Sequence, residues 1–120
     1  VYLMECIIKS GLKEELPSLL KDRVYLGISA GSIVTGRKLS ASSAFLYDDE
    51  KKDAPLGLGY TDFYVRSHLN SPHFPKVRDV YLKKVAKKLD GDLYALDDNS
   101  AVLYVDGKIK VVSEGEWKKY

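Results

Sequence analysis

The chain has 120 residues, 45% hydrophobic and 30% charged, the make-up of an ordinary globular domain rather than a disordered or fibrous chain. Nineteen Lys and Arg against 17 Asp and Glu leave a formal charge of +2. The basic residues are scattered in pairs (Lys51-Lys52, Lys83-Lys84, Lys87-Lys88), so no stripe for nucleic acid is expected. A chain of this length buries roughly two-thirds of its unfolded surface, enough for one core. No apolar run approaches the ~20 residues of a membrane span, and the N-terminus lacks the sections of a signal peptide. The one cysteine, Cys6, excludes an internal disulfide and fits a reducing compartment. A cytoplasmic protein without a membrane or nucleic-acid partner is the expectation.

Val1 to Ile8 carries Leu3, Met4, Ile7 and Ile8 at the spacing of an amphipathic helix, and Ser10-Gly11 offers a glycine stop. Leu12 to Lys21 repeats the stripe with Leu12, Leu16, Leu19 and Leu20, and Pro17 predicts a split into two pieces. Val24-Tyr25-Leu26-Gly27-Ile28 reads as a short buried strand. The small residues from Ser29 to Gly36 then lead into a short helix.

Residues 37 to 59 read as a long irregular loop, with Ser40, Ser42 and Ser43, the charged run Asp48 to Lys52, and a Gly57-Leu58-Gly59 turn. Loops of this length in a compact domain are often functional. Tyr60 to Val65 is a second strand, ending at Arg66-Ser67-His68. Phe74 to Leu89 reads as the longest helix, with Val77, Val80, Tyr81, Val85 and Leu89 on one side and lysines on the other. Leu93 to Leu96 is a strand closed by an Asp97-Asp98-Asn99-Ser100 corner. Ala101 to Val105, Asp106-Gly107 and Lys108 to Val112 form a hairpin. With no internal repeat or boundary, residues 1–120 read as a single unit: an α/β layered fold with an antiparallel hairpin at one edge.

Chemistry concentrates at Gly27-Ile28-Ser29-Ala30-Gly31, a G-x-S-x-G sequence where a strand turns into a helix. A serine held at so sharp a turn needs small neighbours on both sides. Its hydroxyl then projects from the sheet end, while the amides of Ala30 and Gly31 face the place where an oxyanion would form. The same stretch also reads as a plain βα turn, or as an anion cradle using Ser29 and Ser32.

A nucleophilic serine needs a base, and the chain has two histidines. His68 follows a strand, at the edge where open α/β sheets place their sites. His73 lies in Ser71-Pro72-His73-Phe74, where a surface role is expected. A metal site built on the two is disfavoured, since Cys6 is remote and no third ligand stands at zinc spacing. Asp97 and Asp98 close another strand, and since adjacent residues at a strand end point in opposite directions only one of them can orient the imidazole, with Asn99 as fallback. Turn chemistry alone would also account for this acidic corner.

Three stretches together, Leu26 to Ser32, Asp62 to Asn70 and Tyr94 to Ala101, resemble the dipeptidase E and cyanophycinase family of serine peptidases, in particular its aspartyl dipeptidase branch. The resemblance implies a flavodoxin-like layered sheet akin to class I glutamine amidotransferases, with Ser in place of their elbow Cys, and no cofactor. It implies Ser29 as nucleophile, His68 as base and Asp98 at the acid position, where some members carry Glu. The implied substrate is a small peptide with an N-terminal aspartate, whose carboxylate Arg66 or Arg37 would pair. Val1-Tyr2-Leu3-Met4 resembles the stretch after the family's Gly-Gly-Asn segment. The chain therefore reads as the C-terminal half of the domain, with self-association or complementation by an upstream segment expected. An inactive truncated remnant and an anion-binding module are the alternatives to a peptidase.

Overall fold

The computed structural model describes residues 1–39 and 55–120. The serine-rich stretch Ser40, Ser42 and Ser43 and the charged run Asp48 to Lys52 lie outside the described residues. The two flanks of that segment meet: Lys38 bridges Leu56, and the Gly57 N–H donates to the Arg37 carbonyl at 2.8 Å.

The N-terminal stripe forms helix α1, Tyr2–Lys9, and helix α2, Leu12–Leu19. Gly11 joins them at φ 75°, a left-handed turn that glycine adopts without a Cβ penalty. Pro17 does not split α2. It sits near the C-terminal end, where it removes only the bond to Lys13 before the helix stops. Met4, Ile7 and Leu16 are buried against Val34 and Leu39, with Tyr25, Leu58 and Tyr60 packed around them.

Val24 to Ile28 runs extended but joins no ladder among the described residues, which corrects the expectation of a buried strand. Its alternation is strand-like: Val24, Leu26 and Ile28 are 90%, 83% and 79% exposed while Tyr25 and Gly27 turn inward. The side chains obey the period-2 pattern, but among the described residues little packs over their outward face. The segment ends in helix α3, Ala30–Ile33.

The sheet is built later in the chain. Strand β1, Tyr64–Arg66, lies parallel to β2, Leu93–Leu96, and β5, Trp117–Lys119, pairs antiparallel to β2. Helix α4, Asp79–Ala86, makes the crossover between β1 and β2. It is shorter at both ends than expected: Pro75 and the turns around Phe74 hold the chain out of helix until Arg78. Leu82, Val85, Ala86 and Leu89 give its packed stripe, whereas Val80 is 66% exposed.

Alternation along β1 and β2 sends Tyr64, Leu93 and Ala95 toward α4, and Val65, Tyr94 and Leu96 to the other face. That second face is covered by a hairpin of β3, Ser100–Val105, and β4, Lys108–Ser113. Asp106 at φ 50° and Gly107 at φ 75° make its two-residue turn, the geometry an Asp-Gly pair favours. The hairpin is thus a separate two-stranded sheet and not the edge of the main one. The antiparallel edge strand is β5, opposite β1 at the other edge, and three residues without apolar alternation did not announce it.

Asp79 ties β5 to α4, accepting from Lys83, Lys118 and the Tyr120 hydroxyl at 2.7, 3.1 and 2.8 Å. Those bonds, from Lys83 first, hold its carboxyl well below the usual carboxylate range. Tyr64 donates to Asp90, and burial together with that bond pushes its hydroxyl up to about 12. No helix among the described residues is long and apolar enough to cross a membrane.

Candidate active site

Ser29 occupies φ 52°, ψ −113° at the junction of the extended segment and α3. A non-glycine residue in this region is strained, and such strain persists only where the surroundings over-determine it. Here they do. The Ser29 carbonyl accepts from the Ser32 and Ile33 amides and from Ser32 Oγ at 3.1, 3.2 and 2.7 Å. The Tyr25 hydroxyl reaches under the turn to the Gly31 carbonyl at 2.8 Å.

The two glycines flanking Ser29 are not equivalent. A Cβ on Gly27 would lie 2.6 Å from the Gly31 carbonyl carbon and oxygen and 2.7 Å from the Ser32 nitrogen. On Gly31 it would meet only the Tyr25 hydroxyl at 3.8 Å, an ordinary contact. Gly27 alone is therefore required by close approach. The Gly31 amide, expected beside Ala30 as an oxyanion donor, donates instead to the Ile28 carbonyl at 2.9 Å. The Ala30 amide has no acceptor among the described residues.

His68 follows β1 and adopts φ 67°, in the left-handed region. The next residue continues the sheet's pairing, its Leu69 N–H donating to the Leu96 carbonyl at 2.9 Å. Asn70, at φ 59°, donates from Nδ2 to Glu116 at 2.8 Å. These bonds lace the histidine turn to the β2–β3 corner and the segment before β5. His68 Nε2 lies 2.9 Å from Ser29 Oγ, and Nδ1 lies 2.7 Å from Asp98 Oδ1. A carboxylate at Nδ1 favours the Nδ1–H tautomer of the neutral ring, which leaves the Nε2 lone pair to the serine hydroxyl. The Asp98 side chain is 62% exposed, that of His68 23%.

Asp97 turns the opposite way. Its carboxylate accepts from Ser100 Oγ, the Asn99 amide and the Glu116 amide at 2.6, 3.0 and 2.6 Å. Burial works against its ionised form, but these three bonds outweigh that and lower its pKa. Asn99 engages through its backbone, and the ring nitrogen it was a fallback for is taken by Asp98. His73 is exposed in the turn before Phe74 and does not line the cavity.

The cavity over these residues measures about 420 Å³. Leu26, Ile28, Val65 and Leu96 form its apolar wall, and Ser29, His68 and Asp98 its polar end. Neither Arg66 nor Arg37 lines it, and no other Lys or Arg does so among the described residues. Arg37 lies 3.6 Å from Asp90 in an exposed ion pair. No group of three His, Cys, Asp or Glu among the described residues could hold a metal ion.

One contact went unread in the sequence. The Phe74 ring stacks on the His68 imidazole, centroids 4.1 Å apart and planes 7° from parallel. The signal available for it was an aromatic residue between two prolines, Pro72 and Pro75.

A serine on a strained turn, hydrogen-bonded to an imidazole with a carboxylate on its far nitrogen, is an arrangement that can carry out serine-type acyl transfer. The comparison with known families agrees on the class. The model of peptidase family S51 matches residues 1–112. The chain belongs to that family, the dipeptidase E and cyanophycinase family of serine peptidases. Neither the curated proteins nor the solved structures gave a match.

Proposed function

We propose that the protein is a serine-type dipeptidase in which Ser29 is the nucleophile, His68 the general base and Asp98 the residue that orients the imidazole. The observation that carries this reading is the unbroken chain from Ser29 Oγ to His68 Nε2 at 2.9 Å and from His68 Nδ1 to Asp98 at 2.7 Å. In the first step the Ser29 hydroxyl proton passes to Nε2 as Oγ bonds to the scissile carbonyl carbon. The carbonyl electron pair moves onto oxygen, facing the Ala30 amide. The intermediate then collapses, the C–N bond breaks, and the leaving amine takes the proton from Nε2. Water repeats the sequence on the acyl-enzyme, giving the acid product and restoring Ser29.

The anion-cradle reading has less support, because the Gly31, Ser32 and Ile33 amides that would hold an anion are spent on the Ile28 and Ser29 carbonyls. The preference for an N-terminal aspartate rests on the resemblance. The described lining supplies no cation for a second carboxylate, so that preference needs a basic group from elsewhere. In the same proposal the layered sheet is flavodoxin-like and residues 1–120 form part of one domain. Val24–Ile28 then pairs with a strand from an upstream segment or from another copy. A reducing compartment such as the cytoplasm suits the free thiol of Cys6.

A dipeptide panel tests the reading. The protein expressed from its whole gene should cleave Asp-Leu faster than Leu-Leu or Lys-Leu and leave N-acetyl-Asp-Leu intact. Cleavage of Leu-Leu at the rate of Asp-Leu would remove the aspartyl preference, and no cleavage of any member would remove the dipeptidase.

A further inference from the structure

We propose that Phe74 is a positioning residue for His68, an aromatic plate that fixes the imidazole plane for proton transfer from Ser29; this rests on the reading of His68 as base. Two in-plane hydrogen bonds, at Nδ1 and Nε2, set where the ring lies. Tilting about the line joining them is then resisted only by the side chain's own χ1 and χ2 torsions, and such tilting misaligns the Nε2 lone pair with the serine hydroxyl. A flat group against one face limits that tilt. Phe74 supplies it at 4.1 Å and 7°.

The plate is itself anchored. The Phe74 N–H donates to the Ser71 carbonyl at 3.2 Å, and the Val77 N–H to the Phe74 carbonyl at 2.9 Å. The Arg78 guanidinium gathers the same turn, donating to the carbonyls of Ser71, Phe74 and Val77 at 3.0, 3.1 and 3.0 Å. Ser71 and Val77 are 7% and 2% exposed, so both ends of the turn are rooted in the core. Phe74 is 43% exposed, so burial alone does not account for where its ring lies.

The charged groups around the imidazole are few. Asp98 meets it at Nδ1, Asp97 is turned to Ser100 and Glu116, and no Lys or Arg among the described residues lines the cavity. When the ring gains the serine proton, its positive charge has the Asp98 carboxylate in its plane and the π-face of Phe74 beneath it.

The test compares Phe74→Leu, which keeps apolar bulk and loses the flat ring, with Phe74→Tyr, which keeps the ring. The first readout is the rate of Ser29 labelling by a fluorophosphonate, as maximal rate and half-saturating concentration. The second is the His68 Hε1 and Hδ2 proton resonances, which a stacked aromatic ring shields. Phe74→Leu should cut the maximal rate roughly 10- to 100-fold, as expected for a misplaced catalytic group, with the half-saturating concentration little changed. Its His68 resonances should move downfield, and Phe74→Tyr should restore both readouts. Wild-type speed in Phe74→Leu, or equal loss in both folded variants, overturns the proposal. A wild type that labels at Ser29 but shows no shielding overturns the stack alone. A wild type with shielded resonances that does not label overturns the reading of Ser29, and with it the catalytic purpose of the plate.

Discussion

Exchanging each elbow glycine for alanine separates a steric requirement from a sequence pattern. The new Cβ in Gly27→Ala lies 2.6 Å from two backbone atoms of Gly31, about 1 Å inside the ~3.5–4.0 Å of a relaxed carbon contact. Backbone cannot rotate away as a side-chain tip can, so the turn must open by that amount. Overpacking of this kind costs about 1–3 kcal/mol, and a displacement of ~1 Å at a catalytic group costs about 100-fold in rate. In Gly31→Ala the Cβ meets the Tyr25 hydroxyl at 3.8 Å and gains up to ~1 kcal/mol of helix propensity in α3. Urea unfolding and the fluorophosphonate labelling rate should therefore show Gly27→Ala weakened in both measures and Gly31→Ala close to wild type. Equal behaviour of the two variants, or a Gly31→Ala more damaged than Gly27→Ala, would refute the steric account of the elbow.

His68→Ala should abolish labelling of Ser29 while His73→Ala, altering an exposed side chain away from the cavity, leaves the rate within about twofold, as a surface change of ±0.5 kcal/mol allows. Asp98→Ala should slow labelling on the order of 100-fold, less than the ~10⁴-fold of a buried orienter, because its side chain is 62% exposed. Asp97→Ala should instead lower the melting temperature, since three hydrogen bonds at the corner lose their acceptor. Asp79 has a carboxyl held below its ordinary 3.8, so its stabilisation is present above that pH and is lost as pH falls further. The stability gap between wild type and Asp79→Asn should thus be full at pH 7 and close below pH 4, and a pH-independent gap in acid titrations would contradict this. Size-exclusion chromatography should show self-association of the 120-residue chain that Val24→Lys with Leu26→Lys reduces, since the outward face of this segment carries these side chains 90% and 83% exposed.

The features legible in the sequence are local. Gly27-x-Ser29 at a strand-to-helix turn, a histidine just beyond β1 and an acidic pair just beyond β2 are three signals, each written within a few consecutive residues. The structure brings Ser29, His68 and Asp98 within hydrogen-bonding distance because the parallel pairing of β1 and β2 puts the latter two at the same end. The same stretches carry the resemblance to the family whose model the chain matches. Non-local features were hidden. Alternation in Val24 to Ile28 specifies a strand-like face but not the neighbour that must cover it, and the described residues provide none. Trp117–Lys119 joins the sheet through backbone bonds to β2, which the sequence of a three-residue strand does not encode. Helix α4 begins late because Pro75 and the Arg78-bound turn use the preceding residues for another purpose, holding Phe74 against His68.

The most direct test of the central claim is the site of covalent modification by a fluorophosphonate, mapped by mass spectrometry on the folded protein expressed from its whole gene. The account predicts one adduct per chain, on Ser29, absent in Ser29→Ala and in His68→Ala. No adduct on the folded protein, or an adduct on another serine with Ser29 untouched, would contradict it.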